Sequence, residues 1–175
     1  MYLKVEKKIR SVPTSLLILG VRKPQVVLEK MSKEEIQGSF EVLDLDLNSL
    51  ESVRQFSQQV LSKNLPIHVL INNAGIMFGP RKESADGFEL QLATNHLSHF
   101  LLVHLLLPKL REAGTKESPA RVINVSSCAH FAGGWIDWND FHSTYVFIRI
   151  YFFFNHNWCL LINLHKYTIK RACIK

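Results

Sequence analysis

Val69-Leu70-Ile71-Asn72-Asn73-Ala74-Gly75 is the stretch from which the rest of the chain is read. Val69, Leu70 and Ile71 form a short unbroken apolar run. That pattern suits a strand buried on both faces, as in a parallel sheet covered by helices. Two adjacent amides stand where the strand ends. Each has donors and an acceptor, so the pair can tie a strand end to its neighbours or to a ligand. Ala74 and Gly75 are small and let a flat ring or a backbone come close. Ligands of open α/β sheets bind at the carboxyl ends of strands. The stretch is therefore a candidate binding loop, and a buried asparagine turn without a ligand is the alternative.

On the amino side, Leu16-Leu17-Ile18-Leu19 reads as a buried strand ending at Gly20, and Phe40 to Leu43 as the next. Pro24 can open a helix at its first position, with Val27, Leu28 and Met31 on its apolar face. Asp44-Leu45-Asp46-Leu47 closes the second strand. Asn48 is then a good N-cap, and Glu51 completes a capping-box-like pattern. Val53, Phe56, Val60 and Leu61 recur at helical spacing and face the sheet. On the carboxyl side a loop with Gly79, Pro80 and Gly87 leads into a long helix, from about Phe88 to Leu110. Phe88, Leu92, Asn95 and His99 lie on or near one face of it. Asn95 is out of place in mid-helix, because its amide competes with backbone hydrogen bonds. Such local violations tend to mark functional sites. Residues 121–125 read as the next strand, with Ser126-Ser127 at its carboxyl end.

Three motifs thus follow in order: strand-Asn72-Asn73-Ala74-Gly75, then Asn95-His96-Leu97-Ser98-His99-Phe100, then Arg121-Val122-Ile123-Asn124-Val125-Ser126-Ser127. In this the chain resembles the short-chain dehydrogenase/reductase family. It is most similar to the retinol-dehydrogenase-like branch, chromosome-X-type enzymes included, over residues 17–144. The resemblance implies part of a doubly wound, Rossmann-type parallel sheet carrying family strands two to five. It implies NADP-linked oxidoreduction of a lipophilic alcohol or carbonyl compound such as a retinol, prenol or steroid. Arg22 would meet the 2′-phosphate of NADP, a role that suits a planar guanidinium; a solvated surface arginine is the alternative. Asp46-Leu47 would contact the adenine, Asn73-Ala74-Gly75 would line the cofactor, and Asn95 would hold a water of the proton relay. Ser127 would orient the substrate oxygen by hydrogen bonding; no G-x-S-x-G elbow makes it a nucleophile. Trp135 and Trp138 would make the approach to the substrate apolar; two tryptophans that simply pack are the alternative.

Two motifs of the family are missing. Residues 1–15 contain no glycine, so the T-G-x-x-x-G-x-G loop that holds a pyrophosphate on backbone amides is absent. The first strand, which lies between the second and the fourth in the order 3-2-1-4-5-6, goes with it. Residues 16–19 and 40–43 should then pair as one parallel ribbon and residues 69–71 and 121–125 as another, with no strand between. The catalytic Y-x-x-x-K is absent too. Tyr145 is followed four on by Arg149, Tyr151 by Asn155 and Tyr167 by Arg171. Arginine does not replace a compact ammonium, and the expectation is a chain truncated at both ends and catalytically inactive. A non-enzymatic protein that pairs with full-length relatives through open sheet edges is the alternative.

Composition agrees with one domain: 175 residues, 47% hydrophobic and 21% charged. Three cysteines, Cys128, Cys159 and Cys173, argue against a disulfide framework and for a reducing compartment. No secretory signal is evident at the start. The expected location is intracellular, in the cytoplasm or at the endoplasmic-reticulum membrane surface. All fifteen acidic residues precede Tyr145, where they nearly balance sixteen basic ones. A near-neutral body gives no support to nucleic-acid binding. His96, His99 and His104 lack a carboxylate or thiolate at ligand spacing, so no metal site is expected. The organisation read from the sequence is a basic segment 1–15, a partial dehydrogenase domain 16–144 and an aromatic, basic tail 145–175. The tail is a poor membrane span and reads as sequence joined on by alternative splicing or an incorrect gene model; an amphipathic membrane-surface segment is its functional alternative. Either the two ribbons close on each other, or a tail segment enters the empty place by a chance fit; Val146-Phe147-Ile148 and residues 151–154 have the strand-like content for it.

Overall fold

The structure, a computed structural model, describes residues 16–31, 39–77, 79–125, 138–140, 159–163 and 168–172. Strand β1 (Leu16–Val21) leads into helix α1 (Pro24–Met31) and strand β2 (Ser39–Asp44). Helix α2 (Leu50–Ser62) and strand β3 (Val69–Asn72) follow. Next come α3 (Leu90–Leu92), a π-helical turn (Ala93–Leu97) and α4 (Ser98–Ala113), which run on as one interrupted helix. Strand β4 (Arg121–Asn124), a 3-10 turn (Trp138–Asp140) and strands β5 (Cys159–Asn163) and β6 (Thr168–Ala172) complete the described elements.

The expected two ribbons are both present. β1 pairs in parallel with β2, Leu16 opposite Ser39 and Val21 opposite Asp44. β3 pairs in parallel with β4, Val69 opposite Arg121 and Asn72 opposite Asn124. Among the described residues no strand joins the two sheets. Helices α2 and α4 join them instead. Val53, Phe56 and Val60 of α2 pack with Leu102, Leu106 and Leu110 of α4, against Leu45, Leu47 and Val122. The α2 residues are those that the helical period selects; the i, i+4, i+8 spacing of the α4 residues shows the same rule. β1 runs one residue past Gly20. That glycine is required by packing: a Cβ there would lie 2.6 Å from Leu45 Cδ2 and 2.9 Å from Phe56 Cε2.

Three expectations need correction. The apolar run of β3 is not buried on both faces. Leu70 packs against the core and Asn72 is buried, but Val69 is 45% and Ile71 57% exposed. Side chains alternate across a strand, so one face of β3 rests on α4 and the other is bare. The N-cap of α2 is Ser49, whose Oγ accepts from Ser52 N–H, rather than Asn48 with Glu51. The helix expected over residues 88–110 begins at Leu90, runs to Ala113 and contains the π-helical turn. Among the described residues the tail contributes β5 and β6, which pair antiparallel on the β4 edge away from β3. The candidates at 146–148 and 151–154 lie outside the described residues.

Candidate functional site

The π-helical turn brings the carboxyl ends of β2 and β3 to one place. Ser98 N–H donates to Ala93 O, five residues back, where an α-helix would use the carbonyl four back. Turns of this kind recur at functional sites. Within it, Asn95 Nδ2 donates to Ile76 O at 2.8 Å and Asn95 Oδ1 accepts from Ile76 N–H at 2.8 Å. The amide thereby closes a two-bond ring with the backbone that follows Asn73-Ala74-Gly75. Three residues on, the fully buried Ser98 Oγ donates to Leu47 O at 2.7 Å. One short segment of helix thus holds the chain after β3 with Asn95 and the chain after β2 with Ser98.

The asparagines of the strand end divide the work. Asn72, 3% exposed, donates through Nδ2 to Asn124 Oδ1 at 2.7 Å. The two residues stand in register on neighbouring strands, so this amide ties strand to strand. Its own Oδ1 is buried with no donor among the described residues. Asn73 and Gly75 are half-buried and Ala74 is exposed, as are Ile76 and Met77 beyond them, so the loop is accessible. Asn124 was not singled out from the sequence, although a signal existed. Leu70-Ile71-Asn72 and Val122-Ile123-Asn124 are matching triplets, and parallel pairing puts their asparagines side by side.

At the other sheet, Leu45 N–H donates to Val21 O at 3.0 Å, which places the exposed Arg22 beside the turn at Asp46. Asp46 Oδ1 accepts from Asn48 N–H at 3.0 Å and Asp46 N–H donates to Ser52 Oγ at 2.9 Å, so the carboxylate shapes its own turn. The loop after β3 is pinned from both ends. Glu89 is buried and caps the interrupted helix, its Oε1 and Oε2 accepting from Gln91 and Leu92 N–H at 2.9 and 2.7 Å. A carboxylate suits the positive end of a helix. Asp86 Oδ2 accepts from Leu50 N–H at 2.8 Å at the start of α2. Sequence reasoning missed Ser98 and Glu89. A hydroxyl and a carboxylate among apolar helix residues carry no signal of what they bond.

His99 Nδ1 lies 3.2 Å from Asn95 O. Burial holds its pKa below the ordinary histidine value, against the opposing effect of the Asn95 carbonyl, and the neighbouring His96 adds to the lowering. His96 lies over Phe100, ring centroids 6.4 Å apart, and desolvation lowers its pKa as well. No group of three metal-ligating side chains occurs among the described residues. No described helix is long and apolar enough to cross a membrane. Ser127 lies outside the described residues, as do Ser126, Cys128, Trp135, Tyr145 and Arg149.

Arg22, Asp46-Leu47, Asn73-Ala74-Gly75 and Asn95 all follow strand ends or hold them, the arrangement of a ligand site in an open α/β sheet. Among the described residues none provides a glycine-rich turn between β1 and β3 that would cradle a pyrophosphate. The adenosine end with its 2′-phosphate and the nicotinamide end of a dinucleotide thus have candidate residues, and its pyrophosphate has none among the described residues.

The comparisons with known proteins agree with this architecture. The short chain dehydrogenase family model matches residues 14–138, and the chain belongs to that family. Its similarity is to the retinol-dehydrogenase-like branch. Human polyprenol dehydrogenase is 45% identical over 109 residues, which cover 62% of this chain and 33% of that protein. Human retinol dehydrogenase 11 is 43% identical over 113 residues, 65% of this chain and 34% of that one. A solved structure from Mycobacterium paratuberculosis matches with a TM-score of 0.62 at 38% identity, over 78% of this chain and 46% of the other. The Pseudomonas aeruginosa RhlG/NADP active-site complex matches with a TM-score of 0.57 at 27% identity, over 71% and 49%. The chain spans about a third of the length of these curated relatives.

Proposed function

We propose that residues 16–144 carry part of an NADP-linked oxidoreductase module for a lipophilic alcohol or carbonyl compound of the polyprenol or retinol kind. We propose further that the 175-residue chain does not turn over alone. The observation that carries the reading is the Asn95–Ile76 pair, which holds Asn73-Ala74-Gly75 at the strand end. Arg22 would take the 2′-phosphate and Asp46-Leu47 the adenine. Asn73-Ala74-Gly75 would line the ring end, and Ser127 would donate a hydrogen bond to the substrate oxygen. A bound nicotinamide supplies the hydride in such modules. Asn95 would serve by its backbone and by holding the loop, since both ends of its side-chain amide are engaged. The membrane surface or the cytoplasm is the proposed location.

The inactivity follows from two absent elements. Without a glycine loop a dinucleotide has no anchor for its phosphates. Without a lysine partner a tyrosine keeps a pKa near about 10 and is a poor base at neutral pH. Calorimetric titration with NADPH should show no binding below millimolar concentration, and retinal reduction should stay at the no-enzyme blank. A micromolar dissociation constant, or turnover abolished by Ser127→Ala, would overturn the proposal.

One feature favours a second reading, a non-enzymatic protein that pairs with relatives. Val69 and Ile71 are exposed on a bare sheet face, and β1 and β3 each have an edge with no partner strand among the described residues. Open edges beside apolar surface invite strand addition. Light scattering behind a size-exclusion column separates the readings, because a clean monomer removes the ground for the second.

A further inference from the structure

We infer that His99 is a positioning residue: its ring closes the π-helical turn on Asn95 and thereby fixes residues 73–77 against the helix. The inference rests on reading that loop as the ring-end border of a dinucleotide site. Its geometry is independent of whether a dinucleotide binds.

The π-helical turn ends at Leu97, and α4 resumes at Ser98. At such a junction the helix bends and a side chain of the next turn can enter the carbonyl ladder. His99 is the first residue of α4 placed to do so, with Nδ1 at 3.2 Å from the carbonyl of Asn95. A carbonyl oxygen only accepts. The ring must therefore carry its hydrogen on Nδ1, which leaves Nε2 as the bare nitrogen when the ring is neutral. The partly buried position favours the neutral ring.

The consequence passes through Asn95. Its amide bonds both the N–H and the C=O of Ile76, and both are 2.8 Å. Two bonds to one residue require the amide plane and the peptide to align together, so small rotations of the Asn95 backbone break both. The His99 ring restrains that backbone from the opposite end of the same residue. The bonded run His99–Asn95–Ile76 then reaches the loop directly after Gly75. No other described side chain is bonded to Asn95. His96 is next to it in sequence, but its ring faces Phe100.

The test uses the full 175-residue chain without NADPH, so its outcome is separable from that of the proposed function. Amide hydrogen exchange is read at Ile76 and, as an internal reference, at Val53 and Val60 of α2. His99→Phe keeps a ring and removes the donor. His99→Asn puts an amide nitrogen where Nδ1 stands and can restore the bond to the carbonyl four residues back. In His99→Phe, exchange at Ile76 should rise about tenfold relative to the α2 amides, as local opening does without global unfolding. In His99→Asn it should return close to the original rate. Unchanged exchange at Ile76 in His99→Phe overturns the inference. So does a parallel loss at Ile76 and in α2 that His99→Asn fails to repair, since that makes His99 a general packing residue. An Ile76 amide unprotected in the original chain overturns it as well.

Discussion

The two faces of β3 differ in what this chain gives them. On one, Leu70 and Asn72 face α4 and the core, next to Val122 and Asn124 of the neighbouring strand. On the other, Val69 and Ile71 are in large part exposed. By residue type the exposed face is the more apolar of the two. The difference teaches that a continuous apolar run reports the burial a strand is built for. What actually covers it depends on elements supplied elsewhere, here helices packed from one side. The same asymmetry holds for the sheet edges: β3 has β4 on one side and no described strand on the other.

A substitution on each face separates the two. Leu106→Ala removes a side chain that is 2% exposed on the covered side, and such changes cost about 2–5 kcal/mol. Ile71→Ser, on the bare face at 57% exposure, should stay within about 0.5 kcal/mol, as surface changes do, and should improve solubility. Urea denaturation of both variants measures the contrast. An Ile71→Ser loss as large as that of Leu106→Ala would mean that the bare face is covered in solution.

Gly20 tests the other sheet. A Cβ there meets Leu45 and Phe56 at the same time, and overpacking of this sort costs typically about 1–3 kcal/mol. Gly20→Ala should lower the urea midpoint by a corresponding amount. A neutral outcome would show that the β1–β2 ribbon shifts freely on α2, and that the two sheets are less firmly joined than the shared core implies.

Asn95 comes next. Each of its two bonds to Ile76 is worth about 0.5–1.5 kcal/mol net, so Asn95→Ala should lower the urea midpoint modestly. Asn95→Asp keeps the acceptor for Ile76 N–H but sets a carboxylate oxygen against Ile76 O, and should be no better than alanine. If Asn95→Asp matched the original chain, the Nδ2–Ile76 O bond would contribute nothing.

Much of this was legible in the sequence, and the losses have physical reasons. The four parallel strands and their pairing followed from short apolar runs at regular spacing, and the packed face of α2 from its helical period. The special place of Asn95 showed as a violated local rule, although the rule did not say whether a π-helical turn or a simple kink would result. Caps were less legible: Asn48 and Ser49 are both good N-cap residues, and the apolar period of α2 is the same whichever of them starts the helix. The bare face of β3 could not be read at all, because composition records what a strand prefers and not which helices reach it. Nor could the place of the tail, where Leu160-Leu161-Ile162 is no more strand-like than residues 151–154. Ser98 bonds Leu47 across fifty residues of sequence, and nothing local to either reveals it.

The smallest expected effect is a pH dependence, and its sign is fixed. Burial lowers the pKa of His99 below the ordinary 6.5, and that of His96 moves the same way. Below pH 6.5 the unfolded chain takes up protons that the folded chain still refuses, so acid favours the unfolded state. The stability tied to these rings is complete above that pH. It is lost progressively as pH falls from 6.5 through the lowered folded values, where the folded rings at last accept protons. Melting temperature should therefore be level between pH 7 and 8 and should fall toward pH 5. Part of the fall belongs to the carboxylates, so the informative quantity is the difference between chains. His99→Asn has no proton to bind in this range, keeps a donor for the Asn95 carbonyl and should flatten the slope between pH 6.5 and pH 5. A slope identical to that of the original chain would mean that His99 is open to water, and would loosen its link to Asn95. A steeper slope in the variant would place the folded pKa of His99 above 6.5, the opposite sign, and would require an acidic partner for the ring.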